Sequence, residues 1–462
     1  MKITLINPYE LGRQPFGLAE AAAWLEREGC GVVCCDLSIQ RLDDCLEADT
    51  ALVAIYVAMH TATRIAIEAL PKIRQLSPRA SLCVYGLYAP MNADLFRSQG
   101  VETILGGEYE PGLVSLARRL REGKTGNQTE PEISLARVDF ITPRRDKLPA
   151  LSRYAALIRP DGSRLTVGFA ETTRGCKYFC RHCPVVPVYQ GKFRVIPADI
   201  VQDDIRTQIG EGARHVSFGD PDFFNGPGHA LRIVQALHAE FPEVTYDATI
   251  KIEHIVKYPR ELRMLKDTGC LFIISAVESV DNDILRELDK GHTREDFIAA
   301  LAFLRDIGID LSPTFVAFTP WTTLTNYLEL LRQLVELRLV ESVAPVQLSI
   351  RLLIPAGSYL LKLESLADTI GAFDPRLLGH PWRNPDPRVD QLQQDIQNWV
   401  ARAEQDNLTR SDIFAGVWER AHRLAGIPAP PLDAACAGMP IPRLSENWYC
   451  CAEPTCEQLV SF

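Results

Sequence analysis

No stretch of the 462-residue sequence approaches the ~18 to 20 consecutive apolar residues that a membrane-spanning helix needs. The opening residues, MKITLINPYE, lack the apolar core and small-residue cleavage site of a secretory signal. They read instead as a buried strand, and a cytoplasmic setting is expected. Positive charge is in deficit: 49 Lys and Arg stand against 59 Asp and Glu, a net charge of −10. That balance leaves no basic footprint for a nucleic-acid backbone. Internal repeats are absent beyond a strand–helix alternation. What remains is a globular composition, 47% hydrophobic and 23% charged, on a chain long enough for two or three domains.

Cysteine is plentiful, at thirteen residues, and its distribution is informative. Cys30, Cys34, Cys35, Cys45, Cys83 and Cys270 sit in apolar surroundings and read as small buried hydrophobes. The other seven cluster: Cys176, Cys180 and Cys183, then Cys436, Cys450, Cys451 and Cys456. In a reducing compartment such clusters point to metal or redox chemistry rather than to a disulfide framework.

Along residues 1–123, short apolar runs (Ile3–Asn7, Val32–Cys35, Leu52–Val57, Ser81–Tyr85, Thr103–Leu105) alternate with helical spacing. Continuous apolar strands separated by helices argue for a parallel, doubly wound (Rossmann-like) α/β sheet covered on both faces. Ligands bind such sheets at the carboxyl ends of the strands, here near Glu10, His60, Leu87 and Gly107. Residues 124–164 read as a linker. From 165 to 360 six further strands are expected: Leu165–Phe169, His215–Phe218, Thr245–Thr249, Leu271–Ala276, Ser312–Phe318 and Val346–Leu352. Six units in that length suit a partial (β/α)6 barrel, too short for an eight-fold one. A helical extension, 361–430, and a cysteine-rich tail, 431–462, complete the chain.

The strongest motif is ETTRGCKYFCRHCP, residues 171–184, directly after the first barrel strand. Three thiolates spaced C-x3-C-x2-C on one loop can hold three corners of a cubane iron–sulfur cluster, leaving one iron open. Zinc is the other candidate. Its structural sites close with a fourth Cys or His, and His182, between two of the cysteines, is expected to point away.

The spacing, at the mouth of a six-fold strand–helix unit, resembles the radical S-adenosylmethionine (radical SAM) superfamily. The resemblance implies that Cys176, Cys180 and Cys183 hold a [4Fe–4S] cluster whose open iron chelates SAM. One electron would cleave SAM to methionine and a 5′-deoxyadenosyl radical, supplied by a low-potential donor of flavodoxin or ferredoxin type. It also implies that Gly219, Asp220 and Pro221 approach the SAM amino group and that Glu278 and Ser279 approach the ribose. Arg351, a charge within an otherwise apolar strand, is a further cofactor-binding candidate, free to pair with a carboxylate. One departure is His182, where the superfamily often carries an aromatic residue.

A parallel sheet preceding the cysteine triplet resembles the cobalamin-binding branch of these enzymes. The resemblance makes 1–123 a cobalamin-binding-type domain whose contacts are Met59, His60, Thr61, Gly86, Leu87, Gly106 and Gly107, glycine permitting close approach of a flat corrin. D-x-H-x-x-G, which supplies an axial histidine in many cobalamin proteins, is missing. Either cobalt faces the domain without a histidine, or the domain serves as scaffold. The tail, WYCCAEPTC, resembles that of the CUAEP/CCAEP-tail radical SAM proteins and the clustered cysteines of the radical SAM enzymes of arsinothricin biosynthesis. That likeness makes Cys450, Cys451 and Cys456 catalytic candidates that present a thiophilic centre such as As(III) for aminocarboxypropyl transfer. Ligation of a second cluster or soft metal, and an incidental end, are the other readings of the tail. The expected function is a radical SAM transferase acting on a small molecule. The alternatives are a cobalamin-dependent radical SAM methyltransferase and a non-enzymatic metal or metalloid sensor.

Overall fold

The computed structural model of the chain describes residues 1–124 and 128–446. The first unit is built on six parallel strands: β1 (Lys2–Asn7), β2 (Gly31–Asp36), β3 (Leu52–Tyr56), β4 (Ser81–Tyr85), β5 (Thr103–Gly107) and β6 (Ile133–Ser134), in the order β2-β1-β3-β4-β5-β6. The residues of β1, β3, β4 and β5 are buried almost without alternation, as a sheet covered on both faces requires. Phe16–Arg27 and Glu110–Arg121 pack on one face against β1 and β5, and His60–Leu76 packs on the other. β6 lies inside the segment expected as a linker. Ile133 and Ser134 pair with Gly106 and Gly107, a two-residue register too short to leave a periodic signal.

The second sheet runs β14-β13-β12-β11-β8-β7-β15. Its parallel part is β8 (Arg164–Ala170), β11 (His215–Phe218), β12 (Thr245–Thr249), β13 (Cys270–Glu278) and β14 (Asp310–Phe315). β7 (Ala156–Ile158) folds back on β8, and β15 (Arg443–Leu444) pairs antiparallel with β7. The cysteine loop lies within a small hairpin of β9 (Thr173–Gly175) and β10 (Phe193–Val195). Helices between the barrel strands seat their apolar faces in one core with Phe218, Tyr246, Phe297 and Phe315. Two of these helices open with capping boxes, Thr293 with Asp296 and Thr323 with Asn326, each satisfying backbone donors that the helix leaves unpaired.

The sixth barrel strand, expected over Val346–Leu352, is instead a 3-10 turn, Pro345–Leu348, and a single parallel bridge between Phe318 and Arg351. Polar side chains in the run explain the difference. Gln347 Oε1 accepts from Phe315 N at 3.0 Å, the position of a ladder partner, and Ser349 Oγ donates to Val346 O at 3.0 Å. After Pro355 no strand joins either sheet until β15. Pro387–Gln405 and Arg410–Ala425 form an antiparallel helix pair, with Trp399 Nε1 donating to Ile413 O at 2.9 Å.

Candidate functional site

The carboxyl ends of both sheets open on one cavity of about 310 Å³. From the first unit it is lined by Glu10, Tyr56, Met59, Leu87, Gly107 and Tyr109; from the second, by Glu171, all three triplet cysteines, Gly219, Pro221, Lys251 and Glu278. Arg174, two residues before Cys176, ties the units together. Its guanidinium reaches Glu110 at 2.5 Å, Glu108 at 3.1 Å and Glu20, all buried. Burial pushes the Glu20 and Glu108 carboxyls up, against the pull of Arg174.

Cys180 is buried, and Cys176 and Cys183 are half-buried; the ten described cysteines are all free thiols. Asn225 organises the loop: its Oδ1 accepts from Lys177 N at 3.3 Å and lies 3.6 Å from Cys176 Sγ. Burial pushes the Cys176 thiol up to about 11, the ordinary response of a thiol in apolar surroundings. Among the described residues no three His, Cys, Asp or Glu groups are set to hold a single metal ion. A cubane asks for something different, three thiols spread along one loop so that each meets its own iron, and the donor set here fits it.

His182 is buried and lines the cavity, with Nε2 3.1 Å from Glu278 Oε1. Lys290 Nζ meets the same oxygen at 3.4 Å, and Glu278 lines the cavity. Burial acts to raise the Glu278 carboxyl, but Lys290 and His182 overcome it and hold it at about 2. Glu278 also carries a positive φ of 67°, a strained conformation for a residue with a side chain, of the kind that collects at functional sites.

Asp220 faces away from the cavity. It accepts from Thr172 N, Thr172 Oγ1 and Thr173 Oγ1 at 3.0, 2.8 and 2.5 Å, fixing the strand that leads into the cysteines. Gly219 is required beside it, since a Cβ there would lie 2.0 Å from the Phe169 ring. Ser279 Oγ accepts from Asp281 N and caps the next turn. Arg351 is also directed elsewhere: it pairs with Asp390 at 2.7 Å and stacks on Trp382, clamping the helix Pro387–Gln405.

On the first sheet Met59, Leu87 and Gly107 line the cavity. His60 and Thr61 are buried at a helix start, where His60 Nε2 contacts Leu377 O at 2.6 Å and burial lowers its pKa to about 4. The close approaches at Gly86, Gly106 and Gly107 are to the chain itself, namely Tyr56, Pro90 and Ser134 O. Cys450, Cys451 and Cys456 lie outside the described residues, and Cys436 is half-buried. Sequence reasoning placed Glu10 at a ligand-binding strand end but gave no role to Glu171, Arg174 or Lys290. Glu171 and Arg174 were in view within the triplet motif, whereas Lys290 had no spacing to mark it.

Residues 170–334 match the model of the radical SAM superfamily. The chain carries a radical SAM domain. It is 22% identical over 345 residues to the hopanoid C-3 methylase of Methylococcus capsulatus, covering 70% of this chain and 65% of that protein. It is 20% identical over 299 residues to a putative methylthiotransferase of Methanocaldococcus jannaschii, covering 61% and 64%. The chain thus spans slightly under two thirds of the length of these curated relatives. Around the radical SAM domain the whole architecture is similar to solved cobalamin-dependent structures. OxsB with aqua-cobalamin bound matches at a TM-score of 0.69 and 17% identity, over 87% of this chain and 67% of that one. TsrM from Kitasatospora setae, a radical SAM methyltransferase with cobalamin and a [4Fe–4S] cluster bound, matches at 0.58 and 19%, over 73% of each. The shared fold is a Rossmann-like sheet set against a nearly closed radical SAM barrel.

Proposed function

We propose that the chain is a radical SAM transferase that alters a small molecule held between its two sheets, with cobalamin as methyl carrier. One observation carries this reading: the cysteine triplet and the carboxyl ends of the first sheet line the same cavity. When bound, the cluster and SAM supply one-electron cleavage, and cobalamin supplies a transferable methyl group. The chain's own residues do the rest. Cys176, Cys180 and Cys183 hold the cluster, and Asn225 and Lys177 fix their loop. Glu278, kept ionised by Lys290 and His182, offers its carboxylate to a ligand hydroxyl, and Gly219 and Pro221 form the adjoining wall. On the first sheet, Met59, Leu87 and Tyr88 form an apolar face with no imidazole, because His60 turns to the Leu377 carbonyl. These residues would hold cobalamin on this side of the cavity. The reading includes an electron donor of flavodoxin or ferredoxin type and a cytoplasmic setting. Free thiols throughout the described residues support the latter.

A second reading, transfer of an aminocarboxypropyl group to a thiophilic centre such as As(III), is favoured by the anchoring of the tail. Tyr9 donates to Glu446 at 2.6 Å, next to cavity-lining Glu10. Cys450 follows four residues later, a reach of up to about 14 Å. The test is anaerobic reconstitution with iron and sulfide, then mass spectrometry of SAM products with and without cobalamin and arsenite. Methyl transfer dependent on cobalamin supports the first reading. Methylthioadenosine formed only with arsenite supports the second. A chain that forms the cluster and cleaves no SAM counts against both and moves the sensor reading ahead.

A further inference from the structure

The cysteine loop has two faces, and only one belongs to the cavity. Cys176, Tyr178, Cys180 and His182 line the void, while Lys177, Phe179 and Arg181, which alternate with them, do not. Phe179 is 46% exposed. Of the residues bonded to the three cysteines, it alone is exposed. A single exposed aromatic is ordinary on a protein surface; this one is set apart by its place between two cations on the outer side of the triplet. Its ring lies over Gly191, where an added Cβ would come 2.4 Å from Phe179 Cζ, and this brings the neighbouring Lys192 to the same face.

The charge of that face runs against the charge of the chain. The net charge is −10, yet no Asp or Glu occurs between Glu171 and Asp199. Lys192 is exposed, and Lys177 and Arg181 are half-buried. Lys177 Nζ donates to Asn225 O at 3.1 Å, and the Arg181 guanidinium donates to Arg286 O and Glu287 O at 3.0 and 2.7 Å. These acceptors are main-chain carbonyls, so both side chains are held in place without their charge being neutralised. The nearest acids along the chain that receives Arg181, Glu287 and Asp289, bound the patch on that side. An aromatic ring among cations is a composition that interfaces favour, and its charge is complementary to an acidic partner. The face also offers access, because electron transfer weakens steeply with distance and Phe179 directly precedes Cys180.

We propose that the outer face of the cysteine loop, Phe179 with Lys177, Arg181 and Lys192, is the docking surface for an acidic one-electron carrier protein. The proposal rests on the reading that the triplet holds a [4Fe–4S] cluster, and it names where the reductant of that cluster binds. The carrier is oxidised by one electron and the cluster is reduced by one; no bond or proton moves in the step.

The test uses the reconstituted full chain under anaerobic conditions. Reduced flavodoxin is the acidic carrier, and reduced methyl viologen, a small cation that needs no docking surface, is the control. Cluster reduction is followed by freeze-quench electron paramagnetic resonance in the native, Lys192→Glu and Phe179→Ala chains. Reduction by flavodoxin is expected to slow at least about threefold in each variant at low salt, and the Lys192→Glu effect is expected to shrink as salt screens the charge. Reduction by methyl viologen is expected to be no slower in either variant. As a readout independent of the cluster's chemistry, carbodiimide, which joins ammonium groups to carboxylates, is expected to cross-link flavodoxin to Lys192 or Lys177, mapped by mass spectrometry. Failure of flavodoxin to reduce the native cluster, an unchanged rate in either variant, equal slowing with methyl viologen, or cross-links confined to other lysines overturns the proposal. A native chain that flavodoxin reduces but that cleaves no SAM would count against the proposed function, not against this surface.

Discussion

Replacing Glu171 by Gln tests the electrostatics of the cavity without any cofactor. Burial raises the Glu171 carboxyl from its ordinary 4.5 to about 7, with Asp220 and Glu110 adding to the rise and Arg174 and Arg145 opposing it. Between those two values the folded chain keeps a proton that the unfolded chain has released. Stability from this group is therefore greatest below about pH 4.5, falls as pH rises through the window, and levels off above pH 7. At about 1.4 kcal/mol per pH unit, the loss amounts to roughly 3 kcal/mol. Gln has nearly the same shape and does not titrate in this range. The variant-minus-native difference in unfolding free energy should therefore rise by about 3 kcal/mol between pH 4.5 and pH 8. Urea unfolding of both proteins at several pH values measures it, and taking the difference cancels every group that the two share. A difference independent of pH would refute the reasoning. It would mean that Glu171 is solvated or paired in the folded chain.

Cys180→Ala should abolish both the visible absorption of the reconstituted cluster and 5′-deoxyadenosine formation, and SAM cleavage retained in that variant would remove the cluster assignment. Arg174→Met leaves Glu20, Glu108 and Glu110 buried without their cation and should cost about 3–5 kcal/mol in urea unfolding at pH 8, and less at pH 5, where the acids can take up protons. Gly219→Ala drives a methyl group into the Phe169 ring and should cost about 1–3 kcal/mol, measured by the same unfolding. Lys290→Met removes one of the two groups that hold Glu278 ionised; it should weaken SAM binding at neutral pH, with affinity partly regained as pH rises, read by equilibrium titration of the reconstituted chain.

The parts of the fold legible from sequence were those in which one residue pattern has one structural outcome. Buried parallel strands such as Leu52–Tyr56 and Cys270–Glu278 read as apolar runs because both their faces are covered. The triplet was legible because thiolate spacing on a loop is local chemistry. The sixth strand was misread because Val346, Leu348, Ile350 and Leu352 alternate as a strand would, while Gln347 and Ser349 spend their side chains on backbone groups and coil the segment into a turn. β6 was missed because two residues carry no period. Arg351 looked like a ligand for the site because a charge in an apolar run requires a partner. That partner, Asp390, lies 39 residues along the chain on a helix whose packing no local pattern reveals.

The same limit explains why the raised carboxyls of Glu10 and Glu171 escaped sequence reading although both residues stood beside motifs that were read. Glu10 follows one strand and Glu171 follows another, 161 positions apart in the sequence. Each alone is an ordinary acid at a strand end, where solvation or an ion pair is the usual outcome. In the folded chain each lies near cations that pull its carboxyl down, Arg13 and Arg145 at Glu10 and Arg174 and Arg145 at Glu171, yet burial outweighs them. Both carboxyls are raised only because the assembled cavity takes them from water, and neither strand end announces that by itself.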